Sequence, residues 1–388
     1  RAKYPHFYLQ YPCIKQALTI ELAHKPTYMS DQTSESKALK SLSPRKIILP
    51  MLVGLGAIGY LFYSSDELKW DDIVRNLSNA EPFWLIMAFI VLFARDVGYI
   101  YRIRNLTNKQ LSWMSSFYVI ILWEFSSAIT PSIVGGTTVA IFILNREGLS
   151  FGKSIAYAWL TAVLDNLFFV FASLFVIFVI PESFPEIKME MVGLESLVTA
   201  KNIFTISASL IFIYTVGMAL GLFFAPRYIK YWLVRTTSIK YLRRFRRGAM
   251  ESGNEMIIAS QELKGMSLKY WTKAIISTLI IWIARYFIVN CLIASFSGVS
   301  VTEHLMIFGR HVILWVVMLL SPTPGSSGIA EYTFPKFFGD YAGDFSLAVG
   351  VFWRLLTYYA YLILGVLVIP RWLTRSARRM KIRREEKL

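Results

Sequence analysis

Two short stretches rich in Pro, Gly, Ser and Thr interrupt otherwise apolar sequence, and they are the strongest candidates for a binding site. The first, residues 130–138, reads TPSIVGGTT and contains Pro131, Gly135, Gly136 and Thr137. The second, residues 321–328, reads SPTPGSSG and contains Pro322, Pro324, Gly325 and Gly328. Proline and glycine break helices, and in a membrane the freed backbone groups must face protein or a water-filled cavity. The helix after each break would begin with free N–H groups, which bind phosphate or carboxylate.

Ionisable side chains within the apolar stretches are the second set of candidates, because charges at membrane depth are costly and usually functional. They are Arg95, Asp96, Glu124, Asp165, Arg285, Arg310, Glu331 and Arg354. Arginine suits bidentate recognition of phosphate, so we expect Arg95, Arg285 and Arg354 to act as counter-charges for an anion. Asp165 and Glu331 could neutralise an amine or carry a proton. The alternative is that these residues pair with each other and only fix helix packing.

The composition indicates a membrane protein. Of 388 residues, 55% are hydrophobic and 17% are charged, whereas soluble domains carry roughly 25% charge. Lys and Arg number 41 against 25 Asp and Glu, a net charge of +16. In a membrane protein this excess predicts basic cytoplasmic loops beside anionic lipid, so no nucleic-acid partner is expected. The two cysteines, Cys13 and Cys291, imply neither a disulfide framework nor a metal site, and we expect no cofactor.

An all-α polytopic fold follows from the apolar runs, since a spanning helix needs about 20 mostly apolar residues. Six runs are predicted to span the membrane: 47–63, 83–101, 154–180, 203–225, 274–297 and 346–369. Two further stretches, 117–144 and 304–337, contain the Pro/Gly interruptions and do not read as simple spans.

Loop charges predict the orientation. Segments 29–46, 102–116, 145–153, 226–273 and 371–388 together carry 28 bases and 8 acids; segments 64–82, 181–202, 298–303 and 338–345 carry 4 bases and 12 acids. The positive-inside rule places the first set, and therefore both termini, in the cytoplasm. The two interrupted stretches must then be re-entrant helical hairpins that open to opposite sides. The alternative, eight simple spans, would put the four glutamates of 181–202 inside.

The two hairpins lie in matching surroundings, which predicts an inverted repeat of units 83–180 and 274–369. Arg95 precedes Pro131 by 36 residues, and Arg285 precedes Pro322 by 37. Inverted repeats with broken helices near the membrane midplane are a recurrent transporter plan. The alternative is a chance match, because the units share little sequence identity.

Three regions are predicted along the chain. Residues 1–44 form a disordered or non-native leader, residues 45–370 the transmembrane domain, and residues 371–388 a basic cytoplasmic tail. Within the domain, the basic connection 226–273 is either a set of interfacial helices on an anionic leaflet or a solvated loop.

These motifs resemble a known family. The stretch from Pro131 to Asp165, the sequence PTPGSSGIAE ending at Glu331, and the basic connection resemble the flippase-like transmembrane region of lysylphosphatidylglycerol synthases, over about residues 45–370. The pattern expected there is PTPGGxGxxE, so this chain has one glycine fewer. The resemblance implies movement of lipids, such as aminoacylated phospholipids or polyprenyl-linked sugars, between leaflets. Because the chain ends in a basic tail at Leu388, we expect transport without a synthase domain, and no enzyme activity.

The leading hypothesis is a lipid transporter of the plasma (inner) membrane that moves a phosphate-bearing lipid or lipid-linked headgroup. The headgroup would lie between the two hairpin turns. Two alternatives stay open: a membrane-embedded enzyme or enzyme subunit acting on a lipid-linked substrate, with Asp165 or Glu331 as acid or base, and a small-solute secondary transporter. The expected partners are membrane phospholipid or polyprenyl-linked lipid, anionic lipid at the basic loops, and a second copy of the chain in a homo-oligomer.

Overall fold

Every regular element that the structure describes is helical. The structure is a computed structural model that describes residues 80–130, 132–185, 200–239 and 241–385, with positions 48, 52, 55, 56, 59 and 60. The helices in the four long ranges are α1 (Pro82–Leu106), α2 (Trp113–Ile129), α3 (Ser132–Arg146), α4 (Phe151–Phe178), α5 (Ala200–Ala219), α6 (Pro226–Thr236), α7 (Arg246–Lys264), α8 (Leu268–Ala294), α9 (Val301–Leu320), α10 (Ile329–Ala342), α11 (Ser346–Arg354) and α12 (Ala360–Glu385). A π-helical turn, Leu355–Tyr359, joins α11 to α12, and another, Leu220–Phe224, follows α5.

Serine residues define where several helices begin. The side chains of Ser112 and Ser150 accept hydrogen bonds from the backbone N–H groups three residues later, at the starts of α2 and α4. Ser300 and Glu303 form a reciprocal capping box at the start of α9. These side chains satisfy N–H groups that the helix leaves without partners.

The exterior of the bundle is apolar, as expected for a protein whose solvent is lipid. Phe93 on α1 is 71% exposed and Ile213 on α5 is 65% exposed, whereas Arg95 is fully buried. Within the described ranges, six helical segments are long and apolar enough to cross a membrane: Pro82–Leu106, Phe151–Phe178, Lys201–Phe224, Leu268–Ala294, Val301–Leu320 and Ile329–Arg379. The prediction of an all-α, multi-pass membrane protein is confirmed.

The set of long apolar helices differs from the predicted one in the second interrupted stretch. Most of the predicted span 47–63 lies outside the described residues, so that span stays a prediction. The helix Val301–Leu320, which belongs to the second interrupted stretch, is by contrast long enough to cross a membrane by itself.

The first interrupted stretch consists of α2 and α3, which pack against each other and which we name hairpin A. At about 1.5 Å per residue, their 17 and 15 residues reach about 25 Å and 22 Å, less than the roughly 30 Å of a bilayer core. The break is shorter than predicted, because Gly135, Gly136 and Thr137 lie in the first turns of α3, which begins at Ser132. Pro131 lies outside the described residues. A Cβ at Gly136 would lie 2.2 Å from Ser127 Oγ, so this glycine permits close packing of the two limbs.

The second stretch consists of α9, the turn 321–328 and α10, which we name hairpin B. Pro322, Pro324, Gly325 and Gly328 all lie in this turn, as predicted. Gly325 and Gly328 have φ angles of 57° and 85°, a region that glycine adopts without strain.

The first helices of the two predicted units run in opposite directions. Helices α1 and α8, the first of each unit, pack side by side in an antiparallel arrangement along their whole length. Glu81 N donates to Ser295 O (2.8 Å) at one end, and Tyr270 Oη donates to Leu106 O (2.8 Å) at the other. Equivalent helices with opposite directions are what an inverted repeat requires.

The first limb of each hairpin packs against the last helix of the other unit. Helix α2 contacts α12, and helix α9 contacts α4. Each predicted unit therefore packs against the other through one limb of its hairpin. Gly365 permits the first crossing, where it lies against the ring of Phe125, and Gly309 of α9 lies against Ser183 in the turn that follows α4.

The α2–α12 crossing gives a stability test. A Cβ at Gly365 would lie 2.1 Å from the Phe125 ring, whereas a Cβ at Gly217 on α5 meets nothing within 4 Å. We expect Gly365→Ala to lower the free energy of unfolding by about 1–3 kcal/mol through overpacking. Thermal denaturation in detergent measures the effect, with Gly217→Ala as the matched control. Equal melting temperatures for both variants would contradict the packing described here.

Candidate functional site

The turns of the two hairpins meet at the centre of the bundle. Gly325 N donates to Thr130 O at 3.4 Å. Tyr358 Oη lies 3.2 Å from Ala128 O and 3.4 Å from Pro324 O, so its hydroxyl links both turns. A Cβ at Gly325 would lie 2.2 Å from the Tyr358 ring. The meeting of the turns therefore depends on glycine at this position.

A cavity of about 680 Å³ borders this junction. Both units line it, and Leu210, Ile211 and Tyr214 of α5 contribute to its wall. Its charged lining residues are Arg102, Glu124, Asp165, Arg285 and Arg354. Its aromatic lining residues are Tyr99, Trp123, Tyr214, Trp282, Tyr286, Trp315, Trp353, Tyr358 and Tyr361. Such a mixture of apolar surface with a few polar groups is typical of small-molecule sites.

Asp165 is bound by residues of α1 and α8. Both of its oxygens accept hydrogen bonds from the Arg102 guanidinium, and Trp282 Nε1 donates to Oδ1 at 2.7 Å. Arg102 was not among the predicted site residues, because it belongs to the segment 102–116 that the loop charges place in the cytoplasm. It is buried in α1, which extends to Leu106. Its spacing of seven residues from Arg95, two helical turns, is the signal that places both on one face.

Arg285 is the least firmly paired arginine of the cavity. Its Nη2 lies 3.6 Å from Glu124 Oε2, longer than a hydrogen bond, and its side chain is 29% exposed. Its Nη1 donates to Tyr99 Oη at 3.0 Å. This guanidinium therefore has donor capacity left for an anion in the cavity.

Arg354 and Glu331 fix the turn of hairpin B. Arg354 Nε donates to Glu331 Oε1 at 2.8 Å, and Arg354 Nη2 donates to Gly325 O at 3.0 Å. Glu331 Oε2 accepts from Gly328 N at 2.7 Å and so caps α10. The Gly328 N–H group was one of those predicted to bind an anion, and it already donates to this carboxylate. Glu331 is 2% exposed and does not line the cavity.

The predicted site residues fall into two groups. Asp165, Arg285, Arg354, Thr137 and Gly325 line the cavity. Pro322, Pro324, Gly328 and Gly136 are not in its lining but belong to the hairpins that border it, and Gly135 lies in the first turns of α3.

Arg95 lies behind the cavity wall. It is fully buried, pairs with Asp96 at 2.9 Å and donates to the hydroxyl of Tyr361, which does line the cavity. The alternative reading, that buried charges pair to fix packing, therefore describes Arg95 and Glu331 better than a direct contact with substrate does.

The cavity offers no metal centre among the residues described. No group of three or more His, Cys, Asp or Glu side chains in those ranges could bind a metal ion. His311 lines the cavity, but its Nδ1 lies 3.2 Å from Tyr286 O and aromatic rings surround it.

Comparison with known proteins agrees with this architecture. Residues 47–365 match the family described as the lysylphosphatidylglycerol synthase TM region. The chain belongs to this family. A relative is a UPF0104 membrane protein of Archaeoglobus fulgidus, 25% identical over 342 residues, which cover 85% of this chain and 98% of the relative. The family resemblance predicted from the turn motifs is confirmed, and membership fits a lipid-related role in the membrane.

The Arg354–Glu331 pair gives a second prediction. Glu331→Gln leaves the Arg354 guanidinium buried without a counter-charge, so we expect the free energy of unfolding to fall by about 3–5 kcal/mol. Glu262→Gln is the control, since Glu262 forms a partly exposed pair with Lys153 and its loss should cost about 1 kcal/mol or less. Denaturation in detergent compares the two. If the two variants unfold at the same temperature, Glu331 does not stabilise the turn.

Proposed function

We propose that this protein is a membrane lipid transporter that moves a phosphate-bearing lipid, or a lipid-linked headgroup, between leaflets. The observation that carries the proposal is the cavity where the two hairpin turns meet, lined by both units and by the loosely paired Arg285. Membership of a family associated with membrane lipids supports the substrate class. An enzymatic role has no comparable support, since Asp165 and Glu331 are both engaged in ion pairs.

The cavity suits a phosphate headgroup in size and chemistry. Its volume of about 680 Å³ lies within the 300–1,000 Å³ range of small-ligand pockets. Arg285 is the side chain we assign to the phosphate, because Arg102 and Arg354 are committed to Asp165 and Glu331. The surrounding tryptophan and tyrosine rings offer an amphipathic surface to the rest of the headgroup.

The antiparallel units suggest how the site could open to either leaflet. Hairpins A and B belong to units of opposite direction, and we propose that they enter the membrane from opposite sides as re-entrant hairpins. Rocking of one unit against the other around a fixed central site gives alternating access. The short limbs of hairpin A, neither long enough to cross the bilayer core, support this arrangement for hairpin A. Helix α9 of hairpin B is long enough to cross, so for hairpin B the proposal rests on the loop charges.

A transport assay with paired variants tests the proposal. In proteoliposomes with fluorescently labelled phospholipid, we expect Arg285→Gln to slow leaflet exchange at least about tenfold, since a hydrogen bond to a charged group contributes about 1.5–3 kcal/mol. Lys269→Gln, which removes one exposed charge from the same helix, should exchange lipid like the wild type. Equal rates for all three proteins would contradict the assignment of Arg285.

A further variant separates binding from packing. Glu124→Gln removes the carboxylate beside Arg285. If the Arg285–Glu124 pair only fixes helix packing, Glu124→Gln should slow leaflet exchange as much as Arg285→Gln does. If Arg285 binds phosphate, Glu124→Gln leaves that donor in place and transport continues. Chemically altered lipid after incubation would instead indicate an enzyme, and solute uptake without lipid exchange would indicate a solute transporter.

We propose the plasma membrane as the location, with both termini in the cytoplasm, on the strength of the loop charges. Helix α6 in the basic connection supports an interfacial placement on an anionic leaflet, because Tyr228 and Trp232 are 71% and 61% exposed between basic residues. Such a combination of exposed aromatic and basic side chains is typical of helices that lie in the headgroup region.

Cysteine labelling tests this orientation. Lys269 lies in the first turn of α8, Gly298 lies just after its last residue, and both are exposed. The variants Lys269→Cys and Gly298→Cys, with Cys13 and Cys291 changed to Ser, therefore report the two ends of this helix. In right-side-out vesicles, an impermeant maleimide should label the variant at 298 and reach the variant at 269 only after permeabilisation. The reverse pattern would invert the topology.

A further inference from the structure

The basic end of α12 forms an arginine groove that the proposed transport site does not use. Arg371, Thr374, Arg375, Arg378 and Arg379 line a groove of about 530 Å³. Among the described residues, one carboxylate pairs with these four arginines: Glu147, whose Oε2 lies 2.7 Å from Arg379 Nη1. The groove therefore carries a large positive excess.

Two of the guanidinium groups converge on a neutral hydroxyl. Arg375 Nη2 and Arg379 Nη1 donate to Ser115 Oγ at 3.2 and 3.1 Å. Among the residues that the structure describes, Arg375 Nη1 and the hydroxyl of the adjacent Ser116 are buried and have no hydrogen-bonding partner. Like charges gathered around one hydroxyl repel each other, and an anion would relieve that repulsion and satisfy the unpaired donor.

We propose that the arginine groove binds the phosphate of an anionic phospholipid headgroup. The position of the groove favours a lipid, because α12 is almost wholly apolar from Ala360 to Ile369 and becomes basic immediately afterwards. Arginines at such a boundary reach the headgroup layer, where clusters of them select anionic lipids. This inference is independent of the transported substrate.

The groove also connects α12 to hairpin A, at the start of α2 and at the end of α3. Arg379 contacts Ser115 in the first turn of α2 and Glu147 just after α3. Trp372 Nε1 donates to the other Glu147 oxygen at 2.9 Å. A phosphate between Arg375 and Arg379 would therefore fasten hairpin A to α12, so anionic lipid would stabilise the protein as well as bind to it.

Lipid retention and thermal stability test the proposal on the full chain in detergent. Native mass spectrometry with added phosphatidylglycerol or phosphatidylcholine should show preferential retention of phosphatidylglycerol, and that lipid should raise the melting temperature. We expect Arg375→Gln/Arg379→Gln to weaken retention at least about tenfold, as expected for lost charged hydrogen bonds. Lys201→Gln/Lys336→Gln, which removes the same charge elsewhere, should retain the lipid like the wild type.

Further variants keep the test decisive. Arg371→Gln/Arg378→Gln changes exposed groove residues that contact neither Ser115 nor Glu147, so it should weaken retention without affecting folding. Arg375→Lys/Arg379→Lys keeps the charge but loses the planar fork, and it should bind lipid less well than the wild type. Unchanged retention in all the arginine variants would overturn the site, and equal stabilisation by soluble glycerol 3-phosphate would overturn the lipid assignment.

Discussion

The structure depends on one constraint: a polar group inside an apolar bundle must find its partner within the protein. The exposed surface of the spanning helices is largely apolar, so their arginines and carboxylates pair internally, as Arg102 does with Asp165 and Arg354 with Glu331. The same rule applies to backbone groups freed by the helix breaks. It brings the two turns together, where Gly325 N meets Thr130 O, and the cavity lies beside that junction.

Much of the fold could be predicted from the sequence, because hydropathy, loop charge and helix-breaking residues are local properties. The helix boundaries were less predictable. The charge of Arg102 suggested that a span ends there, yet α1 continues to Leu106, because the partly buried Asp165 on another helix accepts its hydrogen bonds. Gly135 and Gly136 suggested a long turn, whereas Gly136 permits two limbs to pack closely at Ser127. Sequence alone does not distinguish these uses of glycine, because the difference lies in the neighbouring helix.

The candidate site was predictable in residue type but not in pairing. Asp165, Arg285 and Arg354 were expected near the turns, and all three line the cavity. Their partners Arg102, Glu124 and Glu331 come from elements that only the tertiary structure brings close. These pairings distinguish Arg285, which has a donor free for substrate, from Arg354, which positions the turn of hairpin B. The proposed division of roles thus follows from contacts between helices and not from residue identity.

Electron cryomicroscopy of the protein in phospholipid nanodiscs tests directly whether the cavity between the turns receives a lipid phosphate. We expect headgroup density in the cavity, with the phosphate within hydrogen-bonding distance of the Arg285 guanidinium. We also expect that density to be lost in Arg285→Gln while the surrounding helices stay in place. A cavity that contains only water in the wild type, while lipids are well ordered around the same particle, would contradict this expectation.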